Sequence, residues 1–464
     1  MKNLLFDLYD FLINRNYSLV EIFYEKTNRE ELLLENGHIE KSSGGLMEGI
    51  GIRLQAGDDF FYFSTTDFDK DQNIRSLRQI PPAREKDNYG PAQSPRTFTP
   101  KIEDRLNSVK IPPASVTMDE KVARLMQLDA RLRKMKKLTQ ATLRYMSSDR
   151  EITILSSKTG HKKQRLIYTT AVSNLISQKN TELFSAYEAY GGLRGYEVMS
   201  EMEQGADLLI NRLKTAEKAK DIAPENLPVI ISASAGGTLI HEAVGHSLEA
   251  DLVFKGISSL ADKKGTKIAA DIVNIVDDAT INGARGSYHF DDEGTPAQRT
   301  DLIKNGVLTG FMSDIHYAEK INAKSSGNGR RESFAHKPIP RMSNTLLLPN
   351  KTGGGKEEDF IKDMKRGILV KKVGGGQVDT ATGNFIFEIS EGYYVNSGKV
   401  EFPIKHAIMS GNSFDTLMNI IGIDSNFGFG IGTCGKDGQG VPVTDAQPSI
   451  LIKSLLVGGN KQQK

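Results

Sequence analysis

The chain of 464 residues has a single cysteine, Cys434, so an internal disulfide is impossible and a small stapled secreted scaffold is excluded. A lone thiol is then a packed core residue, a reactive group or a metal ligand. Long hydrophobic runs are missing too: no stretch approaches the roughly 18 uncharged apolar residues that a membrane helix needs. The N-terminal MKNLLFDLYDFLINRN interrupts its apolar positions with Asp7 and Asp10. Its Leu4, Leu5, Leu8, Phe11 and Leu12 share one helical face, which reads as a packed helix and not as a signal or an anchor. A cytoplasmic protein with no membrane partner is expected. Charge of one sign is scarce as well, because 60 basic and 58 acidic residues leave a formal net charge of +2. That is too little to gather nucleic acid or an anionic bilayer, so no direct nucleic-acid binding is expected. The cluster Arg131, Arg133, Lys134, Lys136 and Lys137 reads as a solvated helix face. No fixed-period repeat is visible.

What is present is enough chain for two or three domains with substantial cores. After the first helix, EELLLENGHIEKSSGGLMEGIGIRLQAGDDFFYFSTTDF alternates apolar runs with Asn-Gly, Gly-Gly and Gly-Asp-Asp, a pattern of antiparallel strands joined by turns at each of these. GPAQSPRTFTP, from Gly90 to Pro100, reads as an irregular connection. A helix restarts after Thr117, where Thr117 and Glu120 have capping-box spacing and Val122, Leu125, Met126, Leu128 and Leu132 follow a helical stripe. Strands are expected in EITILSS, RLIYTTAVSNLI and ELFSAYEAY, and a helix from Met202 to Lys218. DIAPENLP, from Asp221 to Pro228, marks a domain boundary, followed by a strand in VIIS and a glycine turn. The expectation is an α+β fold: an N-terminal sheet-and-helix domain over 1–222 and a strand-rich domain over 223–464.

The chemistry centres on HEAVGHSLEAD, from His241 to Asp251. In a zinc-protease helix two histidines four residues apart share one face. Here they are five apart, which an ideal helix separates by about 140° around its axis. A wide turn with i to i+5 hydrogen bonding restores the shared face, so a π-like or broken turn is predicted at Val244 to His246. Gly245 tolerates that distortion or the close approach of another segment. Zinc in a catalytic site takes three protein ligands and leaves one position open. The third donor is open among Cys434, in the turn GTCGKDG, and the acids Glu249 and Asp251. Glu242, beside the first histidine, is placed to take a proton from attacking water and return it to the leaving amine. The competing reading makes it a carboxylate that only orients a histidine.

With these residues in view, the sequence resembles the TldD/PmbA peptidases, also described as modulators of DNA gyrase. The likeness rests on HEAVGH itself and on GSYHFDDEGTPAQRT from Gly286, LIKNGVLTGFMSD from Leu302, SGNGRRESFAHKPIPRMSNT from Ser326, GGGQVDTATGNFIF from Gly374 and GTCGKDGQGVPV from Gly432. The resemblance implies Zn2+ held by His241, His246 and Cys434, with Glu242 as the catalytic carboxylate. It also implies the metal site in the C-terminal domain, unfolded peptide or small proteins as substrate, and trimming of peptide precursors such as leader removal. The expected partner is a second copy or a related subunit lacking the metal motif, and the gyrase label implies no nucleic-acid activity. The same blocks offer possible substrate-binding residues. Arg330 and Arg331 could hold a peptide carboxylate or form a buried ion pair with the Asp291, Asp292 and Glu293 run. Tyr288 and His289 either approach substrate or pack, and Gly374 to Gly376 either let a substrate backbone lie alongside or form a sharp turn. Against the peptidase stands a non-catalytic peptide-binding or structural subunit, disfavoured because Glu242 and the donor trio are intact.

Overall fold

The structure, a computed structural model, describes residues 1–82, 102–103, 108–350 and 355–459. The irregular connection expected over Gly90 to Pro100 lies outside the described residues.

Helix α1 (Lys2–Ile13) buries Leu5, Leu8, Tyr9 and Leu12, the stripe expected from the sequence with Tyr9 added. Strands β1 (Leu19–Glu35), β2 (His38–Ala56) and β3 (Asp59–Thr65) follow as an antiparallel meander. Asn36 and Gly37 both adopt positive φ, 52° and 76°, the backbone that a two-residue hairpin turn requires. The turn expected at Gly44-Gly45 does not form. Those glycines lie inside β2 opposite Glu30 and Arg29, because the β1 ladder continues past them. After α2 (Lys70–Arg78), the short β4 (Ile102–Glu103) and α3 (Met118–Leu132), the sheet continues with β5 (Leu138–Ser156), β6 (Gly160–Lys179) and β7 (Glu182–Gly192). The Thr117/Glu120 capping box is formed. The helix expected over 202–218 is divided into α4 (Val198–Gln204) and α5 (Ala206–Ala216) at Gly205. A Cβ there would sit 1.7 Å from the Tyr190 hydroxyl, so the close approach of β7 selects glycine.

Strand alternation gives this sheet two faces. Even-numbered β1 residues such as Val20, Ile22, Leu32 and Leu34 pack under the helices. Odd-numbered Phe23 packs with Ile152 and Ile154 of β5 and with Phe290 and Phe334 from the second half of the chain. Gly49 on β2 admits the Phe334 ring, which would stand 2.3 Å from an added Cβ. The same seam carries buried ion pairs: Arg53 to Glu21 (2.8 Å) and Glu293 (2.5 Å), Arg331 to Glu21 (2.5 Å), and Arg150 to Glu25 (2.9 Å).

The second half contains β8 (Glu225–Ile231), β9 (Ile275–Asp278), β10 (Arg299–Lys304), β11 (Val307–Leu308), β12 (Gly329–Arg330), β13 (Ile339–Pro340), β14 (Asn344–Leu347), β15 (Arg366–Val378), β16 (Asn384–Asn396), β17 (Lys399–Ile404), β18 (Ile408–Asn412), β19 (Ile420–Ile423), β20 (Gly428–Lys436), β21 (Gln439–Gln447) and β22 (Ile450–Gly458). Among the described residues they form one sheet in the order β11-β10-β9-β14-β21-β20, another in the order β15-β8-β22-β18-β16-β17 with β19 also paired to β22, and a separate β12-β13 pair. One large core joins both sheets to Leu239, Ile240, Ala243, Val244 and Leu248 of the histidine segment. Gly374 to Gly376 lie within β15 and not in a sharp turn, at a place where the register with β16 slips. The chain is thus α+β, with a sheet covered by helices on one side and a strand-rich region that carries the histidine motif.

Candidate metal centre

The motif follows directly from a central strand. β8 pairs with β15 and β22, and Pro228 is accommodated because pairing with β15 begins at Val229 while the β22 register slips between Ile452 and Leu455. No ladder donor is asked of the proline. The chain then turns at Gly236 (φ 72°). At Gly237 a Cβ would lie 2.4 Å from the Ala446 backbone nitrogen. The Gly237 N–H donates to Asp445 Oδ1 at 3.0 Å.

After a single turn, α6 (Thr238–Ile240), the helix widens into a π segment over His241–Gly245. The His246 N–H donates to the His241 carbonyl, which is the i to i+5 bond that a five-residue histidine spacing needs. The wide turn thus begins three residues earlier than predicted. Gly245 keeps a helical backbone and serves close approach instead, since an added Cβ would stand 2.0 Å from the buried Met342 Sδ. Arg330 fastens Met342 from behind by donating to its carbonyl at 2.5 Å.

His241, His246 and Cys434 come together here, with ligand atoms within 4.8 Å of one another. The imidazole centroids are 5.2 Å apart with planes at 89°, and Cys434 Sγ lies 3.5 Å from His246 Nε2. Cys434 arrives on β20 opposite Val441 of β21. Arg341, wholly buried, donates to the Cys434 carbonyl at 2.5 Å and the Gln439 carbonyl at 3.1 Å, which fixes the hairpin. Glu249 and Asp251 are not in the cluster. Glu249 Oε2 lies 3.1 Å from His246 Nδ1 and 3.1 Å from Lys436 Nζ, and Asp251 Oδ1 lies 2.6 Å from the same ammonium. A carboxylate on Nδ1 fixes the ring so that Nε2 turns to the cysteine.

The electrostatics suit a cation. Burial alone would raise the Cys434 thiol, but hydrogen bonds and charge from His241 and His246 bring it down to about 5. Burial would likewise raise Glu249, and the Lys436 and His246 charges overcome it to leave a carboxyl at about 2. His241 Nδ1 is buried with no hydrogen-bond partner among the described residues. Two imidazoles and an ionised thiol, one ring oriented by a carboxylate and one with an unmet polar atom, form a donor set that fits zinc. Glu242 stands at the open side, 30% exposed, with Oε2 at 3.8 Å from His246 Nε2.

The other expected residues make their contacts elsewhere. The Tyr288 hydroxyl donates to the Gly327 carbonyl at 2.6 Å, and its ring lies under the Arg330 guanidinium at 5.3 Å. Arg330 also donates to the Pro442 carbonyl at 2.7 Å. Arg331 lies 4.2 Å over the Phe23 ring and pairs with Glu21. Its link to the acidic run is through the Asp292 carbonyl and through its own N–H to Asp292 Oδ2. The His289 N–H donates to Gln164 Oε1 at 3.1 Å. Sequence reasoning missed Arg341 and Lys436. Lys436 had a faint signal, a lone basic residue two positions after the cysteine, whereas Arg341 had none.

Comparison with known proteins agrees with the geometry. A family profile described as the PmbA/TldA metallopeptidase C-terminal domain matches residues 224–459, and one described as PmbA/TldA metallopeptidase domain 1 matches residues 20–79. The chain is 32% identical over 469 residues to a metalloprotease TldD homolog of Haemophilus influenzae, covering 98% of this chain and 96% of that one. It is 31% identical over 293 residues to a zinc metalloprotease TldD homolog of Saccharolobus solfataricus, covering 63% and 62%. In fold it matches a Thermotoga maritima protein named as a modulator of DNA gyrase, with TM-score 0.75, 19% identity and coverage of 95% and 96%.

Proposed function

The chain belongs to the TldD/PmbA metallopeptidase family, and from that premise we propose that it is a zinc-dependent peptidase that cuts unfolded or flexible polypeptides, leader segments of precursors among them. The observation that carries this reading is the gathering of His241, His246 and Cys434 within 4.8 Å beside a part-exposed Glu242. An ion held by the three side chains supplies Lewis acidity toward a peptide carbonyl and toward water.

The rest of the work falls to the protein. Glu249, held by Lys436, keeps His246 in the orientation that presents Nε2. Glu242 accepts a proton from the attacking water at its carboxylate and delivers it to the departing amide nitrogen. His241 and Cys434 are only 4% and 3% exposed, so a folded domain cannot bring its backbone to them and an extended segment can. The reading includes assembly with a second copy or with a related subunit lacking the motif, a cytoplasmic setting and a domain boundary near residue 222. It includes no direct nucleic-acid contact and no membrane partner; among the described residues no helix is long and apolar enough to cross a bilayer.

The test combines metal analysis with hydrolysis of an unstructured peptide. Glu242→Gln is expected to keep the ion and lose about 100-fold to 10,000-fold in rate, the usual contribution of a positioned general base. His246→Ala and Cys434→Ala are expected to lose the ion. Equal rates for wild type and Glu242→Gln would remove the proposed proton transfer. If wild type holds metal but is inactive alone, the assay is repeated with the related subunit added.

A further inference from the structure

On the side of the β20–β21 hairpin away from the histidines lies a cavity of about 640 Å³, bounded by the middle stretches of β1, β2 and β5 around 27–31, 43–45 and 146–150. Strand alternation produces this arrangement: Cys434 faces the imidazoles, while Thr433 and its cross-strand partner Pro442 line the cavity. Arg285 also lines it. Its Nη1 donates to the Gly432 carbonyl at 2.6 Å and its Nε to Thr170 Oγ1 at 3.4 Å. Among the described residues nothing accepts from Nη2 and no carboxylate pairs with this guanidinium, which is partly exposed.

Arg53, Arg150 and Arg331, along the same seam, each face a carboxylate, while the buried Arg330 and Arg341 spend their donors on backbone carbonyls. Arg285 instead has Arg330 as a neighbouring like charge. Burial lowers it to about 10, the hydroxyl of Tyr168 opposing and Arg330 adding to the effect. Arg285 is only partly buried, so the free edge of its guanidinium, facing the cavity, can exchange water for an anion that arrives from outside. The carboxylates around the cavity are already engaged: Glu30 by Lys121, Glu31 by Lys41 and Arg144, and Glu332 by the Gly440 N–H. Arg29, Arg150 and Arg331 stand on the same lining, so the three glutamates do not make the cavity acidic and an anion is admitted. Thr170 and Thr433 add hydroxyl donors.

We propose that this cavity is a subsite for a carboxylate of the polypeptide substrate, held by Arg285 behind the strand that carries Cys434. The choice of a polypeptide rests on the peptidase reading, whereas the anion site rests on the unpaired guanidinium alone. β20 is the outer strand of its sheet, so a bound chain can pass around its edge from one face to the other. Gly432, which Arg285 holds, is two residues from Cys434, about 7 Å along an extended strand. The shared chemistry is a carboxylate, and it has two sources: an acidic side chain or the C-terminus of the chain.

The test is direct binding of fluorescent peptides to the full-length Glu242→Gln protein with its metal, so that turnover does not enter. Four peptides of one length are compared: glutamate-containing or glutamine-containing, each with a free or an amidated C-terminus. At least one carboxylate is expected to tighten binding by about tenfold or more, the range of a charge-assisted hydrogen bond. Arg285→Gln is expected to abolish that preference while leaving the uncharged peptide bound as before. Arg285→Lys, which keeps the charge should the Gln variant fail to fold, is expected to retain part of it. Selectivity for the side chain or for the terminus identifies the source. No preference in the parent, or an unchanged preference in Arg285→Gln, overturns the subsite. A preference that vanishes with Arg285 in a protein whose wild type never hydrolyses peptide would overturn the peptidase reading and leave the subsite standing.

Discussion

Glu249→Gln tests the architecture of the metal centre without touching a proposed ligand. Glu249 Oε2 lies 3.1 Å from His246 Nδ1 and 3.1 Å from Lys436 Nζ, and the side chain is wholly buried. Glutamine still offers an oxygen to the ring N–H, but the negative charge is lost. A carboxylate behind a ligand imidazole typically contributes 10-fold to 100-fold in metal affinity, about 1.4 to 2.7 kcal/mol. Lys436 keeps Asp251 at 2.6 Å and the Pro340 carbonyl at 3.1 Å. The folding cost therefore belongs near the lower end, about 1 to 3 kcal/mol, and not at the level of an ammonium left bare. The assay is competition for zinc against a chromophoric chelator, at fixed pH, on protein verified as folded. Glu249→Gln is expected to weaken binding by about 10-fold to 100-fold, and Cys434→Ala by considerably more. Affinity equal to wild type would refute the orienting role. The reverse order, with Cys434→Ala binding normally and Glu249→Gln empty, would make Glu249 the third ligand.

Gly245→Ala forces a Cβ to within 2.0 Å of Met342 Sδ. Overpacking by about 1 to 3 kcal/mol exceeds the roughly 1 kcal/mol alanine gains in a helix, so thermal unfolding should shift down and zinc content should fall; unchanged melting would contradict the packing argument. Glu21→Gln leaves Arg331 and Arg53 buried with one carboxylate fewer, and urea unfolding should report a loss of about 3 to 5 kcal/mol, against no loss if the seam were solvated. Asp314 is buried beside Glu293, and both effects hold its carboxyl well above the usual range while the Tyr317 N–H and Arg53 pull it back. A carboxyl raised in the folded state takes up a proton on folding, so its contribution is present below the ordinary carboxylate pKa and is lost as pH rises through the raised value. Asp314→Asn keeps an oxygen for the Tyr317 N–H and carries no charge, so its stability should fall less over that window; identical slopes of unfolding free energy against pH would exclude Asp314 as the source.

The features legible in the sequence were those that local geometry dictates. The stripe of α1, the Thr117/Glu120 cap and the Asn36-Gly37 turn follow from helical period, capping chemistry and positive φ. The five-residue histidine spacing demanded a wide turn, and one is present. What could not be read was set by partners distant in the chain. Gly44-Gly45 looks like a turn until β1 supplies a ladder on the other side, and Gly205 looks like helix interior until Tyr190 presses against it. Cys434, Glu249 and Asp251 were all open as the third donor by donor chemistry. Only the fold puts Lys436 against the carboxylate and both imidazoles near the sulfur. For Arg331 the sequence left open a peptide carboxylate or an ion pair with the Asp291 to Glu293 run; it does bond Asp292, but its ion pair is with Glu21, some 310 positions away, because the first sheet packs its odd-numbered face on the second half of the chain.

The most direct test of the account is X-ray absorption at the zinc edge of the metal-loaded protein. A first shell containing one sulfur at about 2.3 Å and two imidazole nitrogens at about 2.0 to 2.1 Å, with the sulfur contribution lost in Cys434→Ser, is the predicted result. A shell of nitrogen and oxygen alone, unchanged by Cys434→Ser, would contradict it.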